Sequence, residues 1–136
     1  MKNKLPIYDF SGYTIPTEKV FQSYITNTYR KHGYFLHKLS DQAMGYKPYD
    51  CHLSGAEGHF FIELKYMKAH EQNFKKENIR SNQHASMQHL SKYDPESALI
   101  GIYFEKFKDY QFYTYNDFME LSNIPYIHIT LLREEQ

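Results

Sequence analysis

The segment HFFIELKYM, residues 59–67, constrains the fold more than any other part of the chain. Its aromatic and β-branched residues predict a strand. Because successive side chains of a strand point to opposite faces, one face carries a mainly apolar set. The members of that set are Phe60, Ile62, Leu64 and Tyr66. The opposite face places Glu63 and Lys65 among apolar neighbours, and a charged pair in such a strand requires an explanation.

The preceding segment indicates a partner for this strand. PYDCHL, residues 48–53, predicts a strand, and SGAEG, residues 54–58, predicts the turn of a hairpin. Such a hairpin can bring the carboxylate of Asp50 beside that of Glu63. Two close carboxylates repel each other unless a cation lies between them, and oxygen ligands of this kind suit Mg²⁺ or Mn²⁺. Lys65 can then orient a water or stabilise charge on a phosphorus atom.

A simpler interpretation of the same residues remains open. Glu63 and Lys65 can form a solvated pair on an edge strand, with Asp50 as an ordinary turn residue.

The remaining patterns predict helices and strands in alternation. Apolar spacing and turn residues predict helices at 18–32, 78–93 and 116–122, and strands at 34–39, 97–105, 110–115 and 124–132. Gly33 is expected to end the first helix, and Asn78 and Asn116 are candidate caps for the other two. Residues 68–77 are expected to form a polar loop. This order predicts an α/β fold, with a mixed sheet flanked by helices, in a single domain over residues 1–136.

The strand residues also carry a resemblance to a known group of enzymes. Asp50, Glu63 and Lys65 resemble the P-D…(D/E)-x-K signature of the restriction-endonuclease-like nucleases, although Tyr49 separates Pro48 from Asp50. Residues 47–90 resemble the central region of the RecU-type Holliday junction resolvases, with Phe74, Ile79 and Gln83 in the later positions of the pattern. FQSYITNTYRKHGY, beginning at Phe21, resembles the first helix of the same group. The match covers about residues 18–122.

The resemblance implies an α/β restriction-endonuclease-like mixed β-sheet flanked by helices, and a DNA endonuclease that requires Mg²⁺ or Mn²⁺. Such an enzyme nicks four-way DNA junctions symmetrically. A junction with two-fold symmetry predicts a homodimer. A bacterial or phage source fits the resemblance.

The same resemblance assigns roles to individual residues. Asp50 and Glu63 are the expected metal ligands, Lys65 assists the attacking water, and Gln83 supports the site. Gln83 also falls on the apolar stripe of its predicted helix, where an unpartnered amide would be costly, although nearby backbone can satisfy it instead. The first helix has Gln22 where RecU-type enzymes tend to carry a glutamate. Glu18, one helical turn earlier on the same face, is the alternative metal ligand.

Charge is unevenly distributed along the chain. Residues 1–91 contain 12 Lys and Arg against 8 Asp and Glu, whereas residues 92–136 contain 4 against 8. Lys68, Lys75, Lys76 and Arg80 follow the proposed metal strand and are candidate phosphate contacts. With a net charge of zero, this asymmetry permits a DNA-binding face but does not require one.

The composition predicts a cytoplasmic protein without membrane association. A single cysteine, Cys51, excludes an internal disulfide, and the chain lacks an apolar run long enough to cross a membrane. The same scarcity of cysteine argues against a zinc framework. Two alternative functions remain: another nuclease of this fold that cuts ordinary duplex, and a DNA-binding or interaction module that has lost cleavage.

Overall fold

In a computed structural model of the chain, residues 5–8, 14–38, 49–71, 73–75, 79–120 and 123–125 are described. Their helices are α1 (Glu18–Lys31), α2 (Ser81–Tyr93) and α3 (Tyr115–Glu120). Their strands are β1 (Phe35–Lys38), β2 (Cys51–Gly55), β3 (Gly58–Met67), β4 (Asn73–Lys75), β5 (Ala98–Phe104), β6 (Asp109–Thr114) and β7 (Asn123–Pro125). Over these ranges, no helix combines the length and the apolar character that a membrane span needs.

Five of the strands form a mixed sheet in the order β1-β2-β3-β5-β6. Strands β1, β2 and β3 are antiparallel neighbours, and β6 is antiparallel to β5. Strands β3 and β5 run parallel, with Glu63 opposite Ile100 and Lys65 opposite Ile102. A parallel pair needs a long crossover connection, and here α2 lies within it. The charged pair of β3 therefore lies on a central strand, which excludes the edge-strand interpretation.

Helix α1 has well-formed ends. At its start, the hydroxyl of Thr17 accepts the Val20 N–H at 3.2 Å. At its end, Gly33 adopts φ +93°, its N–H donates to Arg30 O, and the next N–H donates to Tyr29 O at 3.0 Å. This is a Schellman motif, which favours glycine at the left-handed position. The expectation that Gly33 ends the helix is confirmed.

The two faces of the sheet are covered by different helices. On one face, Phe21 and Ile25 of α1 pack in a core with Leu53, Ile62 and Leu64. On the opposite face, Met87 of α2 and Phe118 of α3 lie in a core with Ile100, Ile102 and Phe104. Glu63 and Lys65 point to the second face, by the alternation of side chains along β3.

Both asparagine caps were predicted wrongly. Helix α2 begins at Ser81 instead of residue 78, so the capping position belongs to Arg80, and Asn78 lies outside the described residues. Helix α3 begins at Tyr115, where the hydroxyl of Thr114 accepts the Asp117 N–H at 3.2 Å. In each case a hydrogen bond from another residue closes the first turn: Gln83 Oε1 accepts the Arg80 N–H, and the Thr114 hydroxyl accepts the Asp117 N–H.

The second, small sheet was not predicted. Strands β4 and β7 pair antiparallel, with Phe74 opposite Ile124. Residues 68–77 were expected to form a loop, but β4 lies within them. A strand of three residues is too short to show an alternation of polar and apolar side chains in the sequence. The predicted strand at 124–132 is represented by β7, and residues 126–132 lie outside the described ranges.

Candidate active site

Asp50 is held at the entrance to β2 by backbone hydrogen bonds with β3. Residues 49 and 50 form a bend before the strand, which begins at Cys51 instead of residue 48. The Asp50 N–H donates to Ile62 O at 2.9 Å, and Asp50 Oδ2 accepts the Leu64 N–H at 2.7 Å. The side chain is only 5% exposed. The carboxylate is thus fixed against the strand segment that contains Glu63.

Glu63 and Lys65 form a close ion pair on β3. Lys65 Nζ lies 3.1 Å from Glu63 Oε2, and the side chains are 14% and 1% exposed, respectively. Glu63 Oε1 is buried without a hydrogen-bond partner in the described part of the chain. A buried carboxylate oxygen without a partner is costly, and it is an available ligand atom.

The pKa of Glu63 shows that other acidic side chains lie near it. Burial, followed by the negative charge of Asp50, raises the pKa of the Glu63 carboxyl from 4.5 to about 8. Lys65 lowers this pKa, and Glu18 raises it further. Three acidic side chains from α1, the start of β2 and β3 are therefore near enough to interact.

The first helix contributes Glu18 to this group. Because Thr17 caps α1, Glu18 is the first helical residue, and its charge acts on Glu63. Gln22 lies one turn later and is partly buried. The charge of Glu18 reaches Glu63, whereas Gln22 is uncharged and cannot shift that pKa by its charge, so the choice between the two stays a prediction.

Gln83 is buried at the start of α2, with 1% of its side chain exposed. Its Oε1 accepts the Arg80 N–H at 3.3 Å, which satisfies one of the free donors at the helix N-terminus. The sequence left open that nearby backbone satisfies the Gln83 amide, and the Arg80 N–H is such a partner. The amide oxygen thus closes the first turn of α2.

The expected phosphate contacts are only partly described. Lys68 is exposed in the turn after β3, and Arg80 is exposed at the start of α2. Lys75 lies in β4. Lys76 lies outside the described residues.

A group of rings beside the acidic residues escaped the sequence analysis. His37, His52, His59 and Phe61, here termed the ring surface, lie on β1, β2 and β3. The register places His37 opposite His52 and His52 opposite Phe61. Phe61 lies two residues before Glu63 on β3 and points to the same face of the sheet. The alternation of side chains along β3 was the sequence signal that places Phe61 on the face of Glu63. The histidines of β1 and β2 could be placed beside it only from the register in which the three strands pair.

The donor set fits a hard divalent cation that is shared with a substrate. Within the described ranges, no three His, Cys, Asp or Glu side chains are grouped closely enough to hold a metal ion unaided. Mg²⁺ usually binds through one or two carboxylates and completes its shell with water and phosphate oxygens. The unpartnered Glu63 Oε1 and the fixed Asp50 carboxylate match that requirement.

Comparison with known proteins identifies the architecture. No protein-family model matches the chain, and no curated protein matches it in sequence. Among solved structures, the chain is similar to Hjc, a Holliday junction resolvase from the archaeal hyperthermophile Archaeoglobus fulgidus, with a TM-score of 0.52 and 12% identity. The similarity covers 71% of this chain and 74% of that one.

The chain has the restriction-endonuclease-like fold. Its five-stranded mixed sheet flanked by helices is the arrangement expected from the sequence, and that expectation is confirmed. At 12% identity the similarity establishes the fold alone, so the roles of individual residues depend on the geometry above.

Proposed function

We propose that this protein is a metal-dependent DNA endonuclease that resolves four-way junctions by symmetric nicks. One observation carries the proposal: Asp50 and Glu63 are buried together, while Lys65 Nζ lies 3.1 Å from Glu63. Two buried carboxyl groups side by side cost the fold stability, because both cannot readily be ionised there, so their juxtaposition favours a binding role. The similarity to a solved junction resolvase supports the choice of substrate.

Asp50 and Glu63, with Glu18, would hold Mg²⁺ or Mn²⁺. When bound, such an ion polarises the phosphodiester and lowers the pKa of its water. The Asp50 carboxylate is oriented by its hydrogen bond with the Leu64 N–H, so little side-chain freedom is lost on binding.

Lys65 has the remaining chemical role. Its ammonium group is held beside Glu63, where it can orient the attacking water and stabilise negative charge that develops on the phosphate oxygens. Gln83 acts as a positioning residue, because its buried amide fixes the first turn of α2.

We propose that four basic side chains contact the DNA backbone: Lys68, Lys75, Lys76 and Arg80. Phosphate contacts of this kind position the duplex and make binding dependent on salt. Because a four-way junction requires two nicks related by symmetry, we further propose that the protein acts as a homodimer with one site per subunit.

The test compares a four-way junction with linear duplex of the same sequence, each with and without Mg²⁺. Asp50→Asn keeps an acceptor for the Leu64 N–H but removes the charge, and Asp117→Asn on the exposed face of α3 is the matched control. We expect paired nicks in the junction that require metal, disappear in Asp50→Asn and persist in Asp117→Asn.

Two other results would replace the proposal. Equal cutting of junction and linear duplex would indicate a nuclease that acts on ordinary DNA. Binding of DNA without cutting of any substrate, at any concentration of Mg²⁺ or Mn²⁺, would indicate an interaction module that has lost cleavage.

A further inference from the structure

The ring surface lies beside the proposed acidic site and has no part in the cleavage described above. Phe61 precedes Glu63 by two residues on the same face of β3, a separation of roughly 7 Å along the strand. His37 and His59 are exposed, and His52 and Phe61 are partly exposed. DNA bound at the proposed acidic site would therefore lie next to the ring surface.

The rings are already arranged face to face. His52 stacks on Phe61 with centroids 4.5 Å apart and an angle of 11° between the planes. His52 Nε2 lies 3.2 Å from His59 Nδ1, and these two rings are also stacked. Tyr49 packs edge-on against Phe61 at 5.2 Å and supports it from the side. Such contacts hold the rings in fixed positions without a bound ligand.

Flat rings on neighbouring strands of a sheet suit one class of ligand. Unpaired nucleobases stack on aromatic side chains that project from a sheet, and the contact tolerates any sequence because every base has a π-face. Strands β1 and β2 contain no acidic residue, whereas Glu57 is exposed in the turn between β2 and β3, and Asp50 and Glu63 are buried. Paired bases in a duplex keep their faces covered, so they gain nothing from this surface.

We propose that the ring surface binds unpaired nucleobases next to the phosphate that is cut. This inference rests on the proposed nuclease function, and it specifies the substrate as DNA with unstacked bases at a branch point. The faces of His52 and Phe61 already cover each other, so the bases would stack on the exposed rings of His59 and His37, which this central stack holds in place.

Binding is measured in EDTA, where cleavage cannot occur, with a short single-stranded oligonucleotide that contains 2-aminopurine. The same sequence as a duplex is the second probe. We expect the wild-type protein to bind the single strand more tightly and to change the 2-aminopurine fluorescence through stacking. Phe61→Leu, which keeps an apolar side chain but removes the ring, should weaken binding roughly 5- to 100-fold.

Three variants separate stacking from damage to the fold. Phe61→Tyr keeps a ring and should retain the wild-type affinity. His37→Ala, on an exposed position of the edge strand, should weaken binding without disturbing the core. Tyr93→Ala removes a ring that is 80% exposed on α2 and should have no effect.

The proposal is overturned if the wild-type protein does not bind the single strand, or if Phe61→Leu and Phe61→Tyr bind it equally. It is also overturned if Phe61→Leu disrupts self-association and leaves oligonucleotide binding intact, because the surface would then join two copies of the chain. Failure of the nuclease proposal appears separately, as an absence of metal-dependent cutting by a protein that still binds the single strand through Phe61.

Discussion

Replacement of Glu63 by glutamine tests the electrostatic argument directly. The substitution keeps the size of the side chain and removes its charge. Burial and Asp50 raise the pKa of Glu63 to about 8, whereas the ordinary value is 4.5. Between these two values the unfolded chain has released the proton of Glu63 and the folded protein retains it.

The sign of the pH dependence follows from this difference in bound protons. Because the folded state binds more protons, the free energy of unfolding decreases as the pH rises from 4.5 towards 8. One proton corresponds to about 1.4 kcal/mol per pH unit, so the contribution of Glu63 falls by about 3 kcal/mol between roughly pH 5.5 and 7.5. Glu63→Gln has no such proton, so its free energy of unfolding should increase relative to that of the wild type as the pH rises over this range.

Urea denaturation followed by circular dichroism, at several pH values in EDTA, measures the effect. Titrating groups that do not interact with Glu63 contribute equally to both proteins, so the difference between the two curves reports on Glu63 and its charged neighbours. Glu120→Gln, at an exposed position near the end of α3, is the matched control and should follow the wild-type curve. Parallel curves for the wild type and Glu63→Gln would refute the conclusion that Glu63 is buried with Asp50 and retains its proton.

A second arm of the same experiment adds Mn²⁺. An ion that binds only the folded state stabilises it by about 2.7 kcal/mol at a hundred times its dissociation constant. Binding to Glu63 must displace the proton, so the stabilisation should increase with pH in the wild type and be largely lost in Glu63→Gln. Equal stabilisation of the two proteins would place the ion elsewhere.

Three further predictions concern neighbouring residues. Lys65→Ala should reduce the rate of junction cutting by at least about 100-fold in single-turnover assays, because the group that stabilises developing charge is lost. The control variant Lys92→Ala, on the exposed face of α2, should cut at the wild-type rate. Thr17→Ala should lower the free energy of unfolding by about 1 kcal/mol in urea titrations, because it removes the cap of α1. It should also weaken Mn²⁺ binding, because the cap holds Glu18 in place. An unchanged Mn²⁺ affinity would show that Glu18 does not belong to the site. Gly101→Ala should cost about 1 to 3 kcal/mol, since the added Cβ would lie 2.7 Å from a ring atom of Phe112; a wild-type urea midpoint would contradict the packing of β5.

Much of the fold was predictable because it depends on local patterns. The periodicity of α1, its termination at Gly33 and the alternation of β3 involve residues close together in the chain. The ends of α2 and α3 were less accurate, since Arg80 and Thr114 take the capping positions for which asparagines were predicted. A local pattern does not decide which of several neighbouring residues takes the capping position.

For the candidate site, the sequence by itself determined that Glu63 and Lys65 share a face of one strand, because side chains alternate along any strand. Only the tertiary structure decided what surrounds that pair. The hairpin register places Asp50 against Leu64, and the packing of α1 brings in Glu18, which is distant in sequence. Register likewise assembles the ring surface from three strands. Such contacts depend on how separate elements pair and pack, and no local pattern specifies that arrangement.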